Sequence, residues 1–530
     1  MSAASVPASG QSRTGRDLLL VLAVALVARL FVLPASTEST MDPDSAHLMN
    51  VARCFERGQG FSNPAAWPAW VKPERLPMPE TFKEPAYPYV VAKLAPLAGG
   101  EFRAGLLVAL LSGLLLTVAT FALARNLGLE RRVALLAGLL VAVNPLSVFM
   151  SARVMVDAMF PALLTTAFAL AAWRPRGEPV RPPWLDVVTG VATGLAFMTR
   201  AQALVALPAL ILLVVRPFHP RAMRSVSFML LPAIVTALPF ILRNLKLFGT
   251  PFYSDVGAYG LWPYVDHLTF SHGLDRPPAP IAFALTHLPE VLRHWAQSAV
   301  RFAISYLPQE VGGHPVWMVP LAIGIVLVAR AWRTFLAPAL YLVVTVAFIF
   351  AVNWDGRYFS STVPLLSIAT ALGAMWVAER IGPVALWGRL KGSHVLIATL
   401  VVTGALQVAV ARRNLQQRSP EIDAARSEAP FLREQLGPDE SVMVVTTSFW
   451  SWFTDRPSVH LVIADDARFA EVVRRLKVRW AALPTSRIPQ FAARYPGGHL
   501  PAALVVHHVD PQRDITVFQV RDAAAGSVAP

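Results

Sequence analysis

Four groups of residues have the types and spacing to do chemistry. The first is Met41-Asp42-Pro43-Asp44, which sets two carboxylates directly after a long apolar run. One reading is structural: Asp42 as a helix N-cap, Pro43 at the first helical position, and Asp44 facing the positive end of the helix dipole. The other is catalytic, because a carboxylate beside a helix N-terminus stays ionised near neutral pH, as a general base must. The two are compatible. The second group is Asp157, at the end of an otherwise apolar stretch where an ionisable side chain is costly and needs a purpose. Its structural alternative is an i,i+4 pair with Arg153. The third is Lys83-Glu84, where a polar loop re-enters an apolar run. Lys83 suits a phosphate and Glu84 a substrate hydroxyl, against simple snorkelling at an interface. The fourth is Arg200, Arg243 and Arg357, whose guanidinium geometry fits a phosphate, against ordinary interface anchoring.

These groups must be held by elements written in the hydropathy. Of the 530 residues, 55% are hydrophobic and only 15% charged, well below the quarter or so of charged residues usual in soluble domains. Runs such as Leu18–Leu33, Leu106–Leu123 and Val395–Val410 carry almost no charge and approach the length of a spanning helix. The net charge of +14 sits largely in short connectors, such as Arg125/Arg131/Arg132, Arg174/Arg176/Arg181 and Arg216/Arg221/Arg224. That is the pattern of cytoplasmic loops, not of a nucleic-acid-binding face. Placing these connectors inside predicts about eleven helices, near 17–34, 103–124, 132–150, 154–173, 185–199, 201–216, 225–243, 315–331, 334–352, 358–378 and 394–412. The expected fold is a polytopic α-helical membrane protein with its N-terminus cytoplasmic. A transmembrane domain covers 1–412, with outer loops 35–101 and 244–314, and an extracytoplasmic α/β domain covers 413–530. Arg200, Arg243 and Arg357 then fall at outer helix ends, where the positive-inside rule disfavours arginine.

Within the first loop, Leu48, Val51, Ala52 and Phe55 recur at helical spacing between Asp44 and Arg57, and a helix lying in the membrane interface fits them. Past Arg413 the pattern predicts a helix at 421–436 and strands at Val442–Thr446 and Val459–Ile463. A helix capped by Asp465 or Asp466 follows, then strands at Val478–Leu483, Ala503–His507 and Ile515–Val520. Cys54 is the sole cysteine, which excludes an intrachain disulfide and a cysteine-based zinc site. His267, His272, His287 and His294 cluster without the spacing of a metal motif, and His507-His508 alternates across a strand.

In chain order, these residues resemble the GT-C class of polyprenyl-phosphate-sugar glycosyltransferases, the protein-mannosyltransferase and aminoarabinose-transferase relatives. Asp44-Ser45-Ala46-His47, followed by Gly58-Gln59-Gly60-Phe61, is similar to that family's first-loop signature. Pro85-Ala86-Tyr87-Pro88 is similar to its loop-to-membrane element. Asn144-Pro145 followed by Asp157, Gly194-Leu195-Ala196-Phe197-Met198-Thr199-Arg200, Arg243-Asn244, and Asp355-Gly356-Arg357-Tyr358 continue the series. Phe453-Thr454-Asp455-Arg456-Pro457 resembles the α/β domain of bacterial members. Ser45 and His47 depart from the usual acidic and aromatic residues, and Asp157 stands where Glu is frequent.

The resemblance implies a bacterial inner-membrane enzyme that moves a sugar from a polyprenyl-phosphate donor to a lipid, glycan or protein acceptor outside the membrane, without nucleic acid. Asp44, helped by Asp157, is expected to take the acceptor proton, with inversion at the anomeric carbon. Asp42, Lys83, Glu84, Tyr87, Arg200, Arg243, Arg357 and Tyr358 are expected around the donor and its phosphate. A divalent metal is compatible with these residues, and no other cofactor is implied. The alternatives from other classes are a lipid or solute transporter or flippase, and a non-catalytic envelope assembly factor. The transporter predicts inverted repeats with broken helices in matching halves, and the sequence offers no such pairing.

Overall fold

The computed structural model describes residues 9–66, 73–175, 181–215, 222–255, 264, 280–311, 314–352, 355–380, 383–384 and 390–521. His267 and His272 lie outside them, as do Arg176, Arg216 and Arg221. The chain divides into two compact units. One comprises Met1–Ser36, Leu106–Phe252 and Val291–Gln416; the other comprises Thr37–Gly105, Tyr253–Glu290 and Gln417–Pro530.

The first unit is helical. A helix occupies each of the eleven expected segments. Among the described residues, six helices are long and apolar enough to cross a membrane, while Val156–Ala172, Ala201–Val214 and Pro315–Arg330 are apolar but shorter. The expected 132–150 helix is broken into Arg131–Val143 and Pro145–Met150. Pro145 has no N–H to continue the ladder, and the Asn144 side chain caps the new start by accepting from Ser147 N at 2.9 Å. Expected helix 201–216 begins as a 3-10 turn, Ala201–Ala206, before Leu207–Val214. Within the expected outer loop 244–314, Leu288–Arg301 is a further helix, and the Trp295 indole donates to the Ala347 carbonyl.

Helix contacts in this unit depend on small residues. Gly190 and Gly194, one turn apart on Pro183–Thr199, lie against the Met229 and Ala233 carbonyls of Ala222–Phe248, where a Cβ would collide. This spacing is the close-approach device of membrane helices, which lack a hydrophobic drive to associate. Arg29, which interrupts the first apolar run, is fully buried and fully engaged. It donates to Ser151 Oγ at 3.1 Å, Ser147 Oγ at 3.0 Å, and the carbonyls of Ala25 and Ala142. Gly113 leaves room for that guanidinium.

The second unit joins the first loop to the C-terminal segment. Its six-stranded sheet runs in the order Ala65–Ala66, Ser458–His460, Ser441–Val444, Val478–Pro484, Ile515–Val520, Leu504–Asp510. The first four strands are parallel, as βαβ connections require, and the last two turn antiparallel. Asp465 caps Asp466–Arg475 through Arg468 N at 2.8 Å. Phe469, Val472 and Val473 of that helix enter the core beside Met443, Val459, Leu483 and Phe518. The short Thr447–Thr454 helix and the Ala65–Ala66 strand had no counterpart in the sequence reading.

The first-loop helix, Pro43–Glu56, differs from expectation. It packs against the helices Ala86–Ala98 and Thr447–Thr454, and Ser45 through Ala52 are buried on every face. It is a core helix of its unit, not one with a polar face turned away from an interface. Burying Leu48, Met49 and Val51 contributes about 1.5–3 kcal/mol each. Its polar residues find protein partners: Asn50 donates to the Ser448 carbonyl at 2.9 Å, and Arg53 stacks on Trp452 at 4.0 Å. Arg53 also bonds Glu101 at 2.9 Å, and with Arg57 it holds Asp455.

Candidate active site

In the second unit, the Pro43–Glu56 helix places Asp44 in its first turn. Asp42 is the N-cap, its Oδ1 accepting from Ser45 N at 2.8 Å, and Pro43 is the first helical residue. With Asp42 engaged in capping, Asp44 is left to reach outward. It meets Lys83 at 2.9 Å, with the two side chains 22% and 15% exposed. A carboxylate and an ammonium thus share a half-buried, solvent-reachable position.

The turn carrying Lys83 is organised by Glu80, which sequence reasoning passed over. Its Oε1 accepts from the backbone N–H of Phe82 at 2.6 Å and of Lys83 at 2.9 Å. Its Oε2 meets His47 Nε2 at 2.9 Å and accepts from Asn63 Nδ2 at 2.9 Å. Burial alone would raise this carboxyl's pKa. The His47 charge and hydrogen bond, with those of Phe82 and Asn63, outweigh it and hold the pKa down to about 2. The available signal was an acidic residue three positions before Lys83 in a proline-rich loop, with a histidine on the helix that begins at Asp44.

Beside it, Asp255 is 3% exposed and bonds Thr81 Oγ1 and the Tyr253 hydroxyl. Burial, with a smaller push from Glu80, raises the Asp255 carboxyl to about 6 against the two hydrogen bonds that oppose it. Glu84 is half-buried just before the Ala86–Ala98 helix. Tyr87 is fully buried at the start of the Ala86–Ala98 helix, its hydroxyl donating to the Gly105 carbonyl at 3.0 Å.

In the first unit, Asp157 lies in the first turn of Val156–Ala172, where its carboxylate complements the helix dipole. Its side chain is 2% exposed and pairs with Arg200, at the end of Pro183–Thr199. Arg153 instead lies over the Phe149 ring, so the local i,i+4 pair is not the arrangement Asp157 adopts. Arg200 also lies over the Tyr358 ring at 4.6 Å, and Arg357 over the same ring at 5.6 Å. Asp355 accepts from Arg357 N and pairs with its side chain at 3.2 Å. Gly356 permits this turn: a Cβ there would strike the Tyr306 ring, whose hydroxyl receives Gly356 N at 3.2 Å.

Tyr358 is therefore flanked by two guanidiniums, each paired with a carboxylate, Arg200 with Asp157 and Arg357 with Asp355. Arg243 is placed differently, bonding Asn244 Oδ1 at 2.9 Å and lying over Phe248 at 5.6 Å. Among the described residues, no three His, Cys, Asp or Glu side chains gather as a metal site.

Comparison with known proteins agrees with this architecture. Residues 79–245 match the family model described as dolichyl-phosphate-mannose-protein mannosyltransferase. That stretch includes Lys83, Asp157, Arg200 and Arg243. The fold matches ArnT from Cupriavidus metallidurans in the apo state, with a TM-score of 0.57 and 15% identity over 97% of this chain and 99% of that one. ArnT bound to undecaprenyl phosphate matches with a TM-score of 0.55 and 15% identity over 98% and 100%. The oligosaccharyltransferase AglB from Archaeoglobus fulgidus, in complex with an inhibitory peptide and a dolichol-phosphate, matches with a TM-score of 0.61 and 14% identity over 93% and 72%. Curated protein sequences contain no significant match. The chain thus shares the helical membrane fold of these ArnT and AglB structures, and its residues 79–245 resemble the mannosyltransferase family model.

Proposed function

We propose that this chain transfers a sugar from a polyprenyl-phosphate carrier to an acceptor hydroxyl at the outer face of a bacterial inner membrane, inverting the anomeric centre. The observation that carries this reading is the Asp44–Lys83 pair at the head of a buried helix. The matched ArnT and AglB structures hold undecaprenyl phosphate and dolichol-phosphate, which supports the donor class.

In the resting arrangement Lys83 is bonded to Asp44. A donor phosphate competes for the Lys83 ammonium, and Asp44 then accepts the proton. The acceptor oxygen gives that proton to Asp44 and forms a bond to the anomeric carbon. The bond from that carbon to the phosphate oxygen breaks, and polyprenyl phosphate leaves with the electron pair, its charge met by Lys83. Arg200 and Arg357, flanking Tyr358, are further candidates to bind phosphate. Asp157, nearly buried against Arg200, serves to hold that guanidinium in place rather than as a second base. Arg243 anchors its helix end.

The test is transfer of radiolabelled sugar from synthetic polyprenyl-phosphate donors by the purified protein in nanodiscs. Asp44→Asn should lower the rate by about 10²–10⁴-fold, the usual contribution of a general base. Full activity of that variant would remove Asp44 from the mechanism. Absence of transfer by the unmodified protein, together with lipid movement in vesicles, would favour a transporter.

A further inference from the structure

We propose that Glu80 is a positioning residue that sets the geometry of the Asp44–Lys83 pair, by tying the helix that starts at Asp44 to the turn that carries Lys83. This rests on the function proposed above.

The argument comes from what each oxygen of Glu80 touches. Oε1 receives two consecutive backbone N–H groups, Phe82 N and Lys83 N, so it fixes the course of the chain leading into Lys83. Oε2 faces His47 and Asn63. His47 lies on the Pro43–Glu56 helix, three residues after Asp44, hence on the same side of it. One carboxylate thus bridges both sources of the pair. Asn63 adds a third element, with Nδ2 donating to Glu80 Oε2 and Oδ1 accepting from Ala65 N at 2.9 Å. Glu80, His47 and Asn63 are all buried, so water does not loosen the bridge. Lys and Asp side chains are individually flexible; what remains adjustable between them is the separation of their backbones, and that is the quantity Glu80 constrains. A displacement of about 1 Å at a reacting group is enough to cost on the order of 10²-fold in rate.

Three substitutions separate reach from charge. Glu80→Gln keeps the length and an oxygen for the two backbone N–H groups but loses the charge and the second acceptor, turning an NH2 toward Asn63 Nδ2 and His47. Glu80→Asp keeps the charge but is one methylene shorter. Glu80→Ala loses both. Two readouts are taken on protein whose fold is checked by its melting transition: kcat for sugar transfer, and the rate of Lys83 acylation by an amine-directed reagent, followed by mass spectrometry.

Positioning predicts Glu80→Gln, which keeps the Lys83 half of the bridge, down about threefold to fivefold in kcat, Glu80→Asp down about 10-fold and Glu80→Ala down about 10²-fold. Lys83 labelling should speed up in the same order. In a Lys83→Met background, Glu80→Asp should lower kcat no further, because the effect runs through Lys83. If Glu80→Gln is the most impaired of the three, Glu80 acts by its charge on the fold and the proposal fails. Unchanged Lys83 labelling in Glu80→Asp overturns it as well. Should Glu80→Ala fail to fold, the Gln and Asp variants still decide the matter. If the parent protein transfers no sugar, the function proposed above fails, and the labelling series alone still tests whether Glu80 positions Lys83.

Discussion

The Asp157–Arg200 pair should be asymmetric under mutation. Asp157 is 2% exposed at its side chain and Arg200 is 18% exposed. Arg200→Gln strands a carboxylate in an apolar surrounding; breaking a buried pair from that side costs about 3–5 kcal/mol. Asp157→Asn strands the guanidinium instead, but Arg200 still has the Tyr358 face at 4.6 Å, a contact worth about 0.5–2 kcal/mol. It also keeps partial access to solvent. That loss should be smaller, about 1–3 kcal/mol. The double variant removes both charges together and should recover part of the Arg200→Gln loss, giving a coupling of about 1–3 kcal/mol in the cycle. The assay is reversible unfolding of the detergent-solubilised protein by SDS titration, followed by intrinsic fluorescence. Equal single losses, or a double variant whose loss is the sum of the two, would show that the pair is not a buried, mutually dependent unit.

Asp255 should make stability depend on pH in a defined direction. Its folded-state pKa of about 6 lies above the ordinary value of 3.8, so the folded state holds its proton more tightly. The resulting stabilisation is fully present below pH ~4 and is lost as pH rises through ~6, amounting to about 3 kcal/mol for a shift of about two units. The difference in stability between the parent and Asp255→Asn should therefore change across pH 4–6.5, in favour of the variant at the upper end; a constant difference would refute the assignment. Gly113→Ala should destabilise the first unit by about 1–3 kcal/mol, because the added methyl overlaps the Arg29 and Ser151 side chains. An unchanged melting temperature in detergent would contradict that packing.

The helical segments of the first unit were legible because long uncharged runs separated by basic connectors leave few alternatives in a bilayer. Their interruptions were less so. The sequence Asn144-Pro145 signals a break only once the length of the surrounding helix is known. The strands after Val442 were visible from alternation and turn residues, and the pattern offered Asp465 or Asp466 as the cap, of which Asp465 is the one used. Ala65–Ala66 was not, since two residues carry no period and their strand partner is far away in sequence. The first-loop helix was read with the right residues and the wrong surroundings. His47 and Asn50 look like a polar face until Glu80 and Ser448 are found bonding to them. Asp44, Lys83, Asp157 and Arg200 were each singled out by residue type and place. Which of them would pair was beyond the pattern, because contacts across 39 and 43 residues depend on how helices pack. Glu80 was missed for the same reason: besides the nearby N–H groups of Phe82 and Lys83, its role lies in His47 and Asn63, 33 and 17 residues away.

The parallel pairing of Ala65–Ala66 with Ser458–His460 also bears on how the molecule is made. The edge strand leaves the ribosome early, and the strand it needs follows only after nearly 400 more residues. At roughly 5–20 residues per second, that interval is roughly 20–80 s. Throughout it, Leu48, Met49 and Val51 lack the part of their cover that comes from Thr447–Thr454. Until the final hundred residues are made, the first loop therefore lacks the strand and helix that complete its packing in the finished chain.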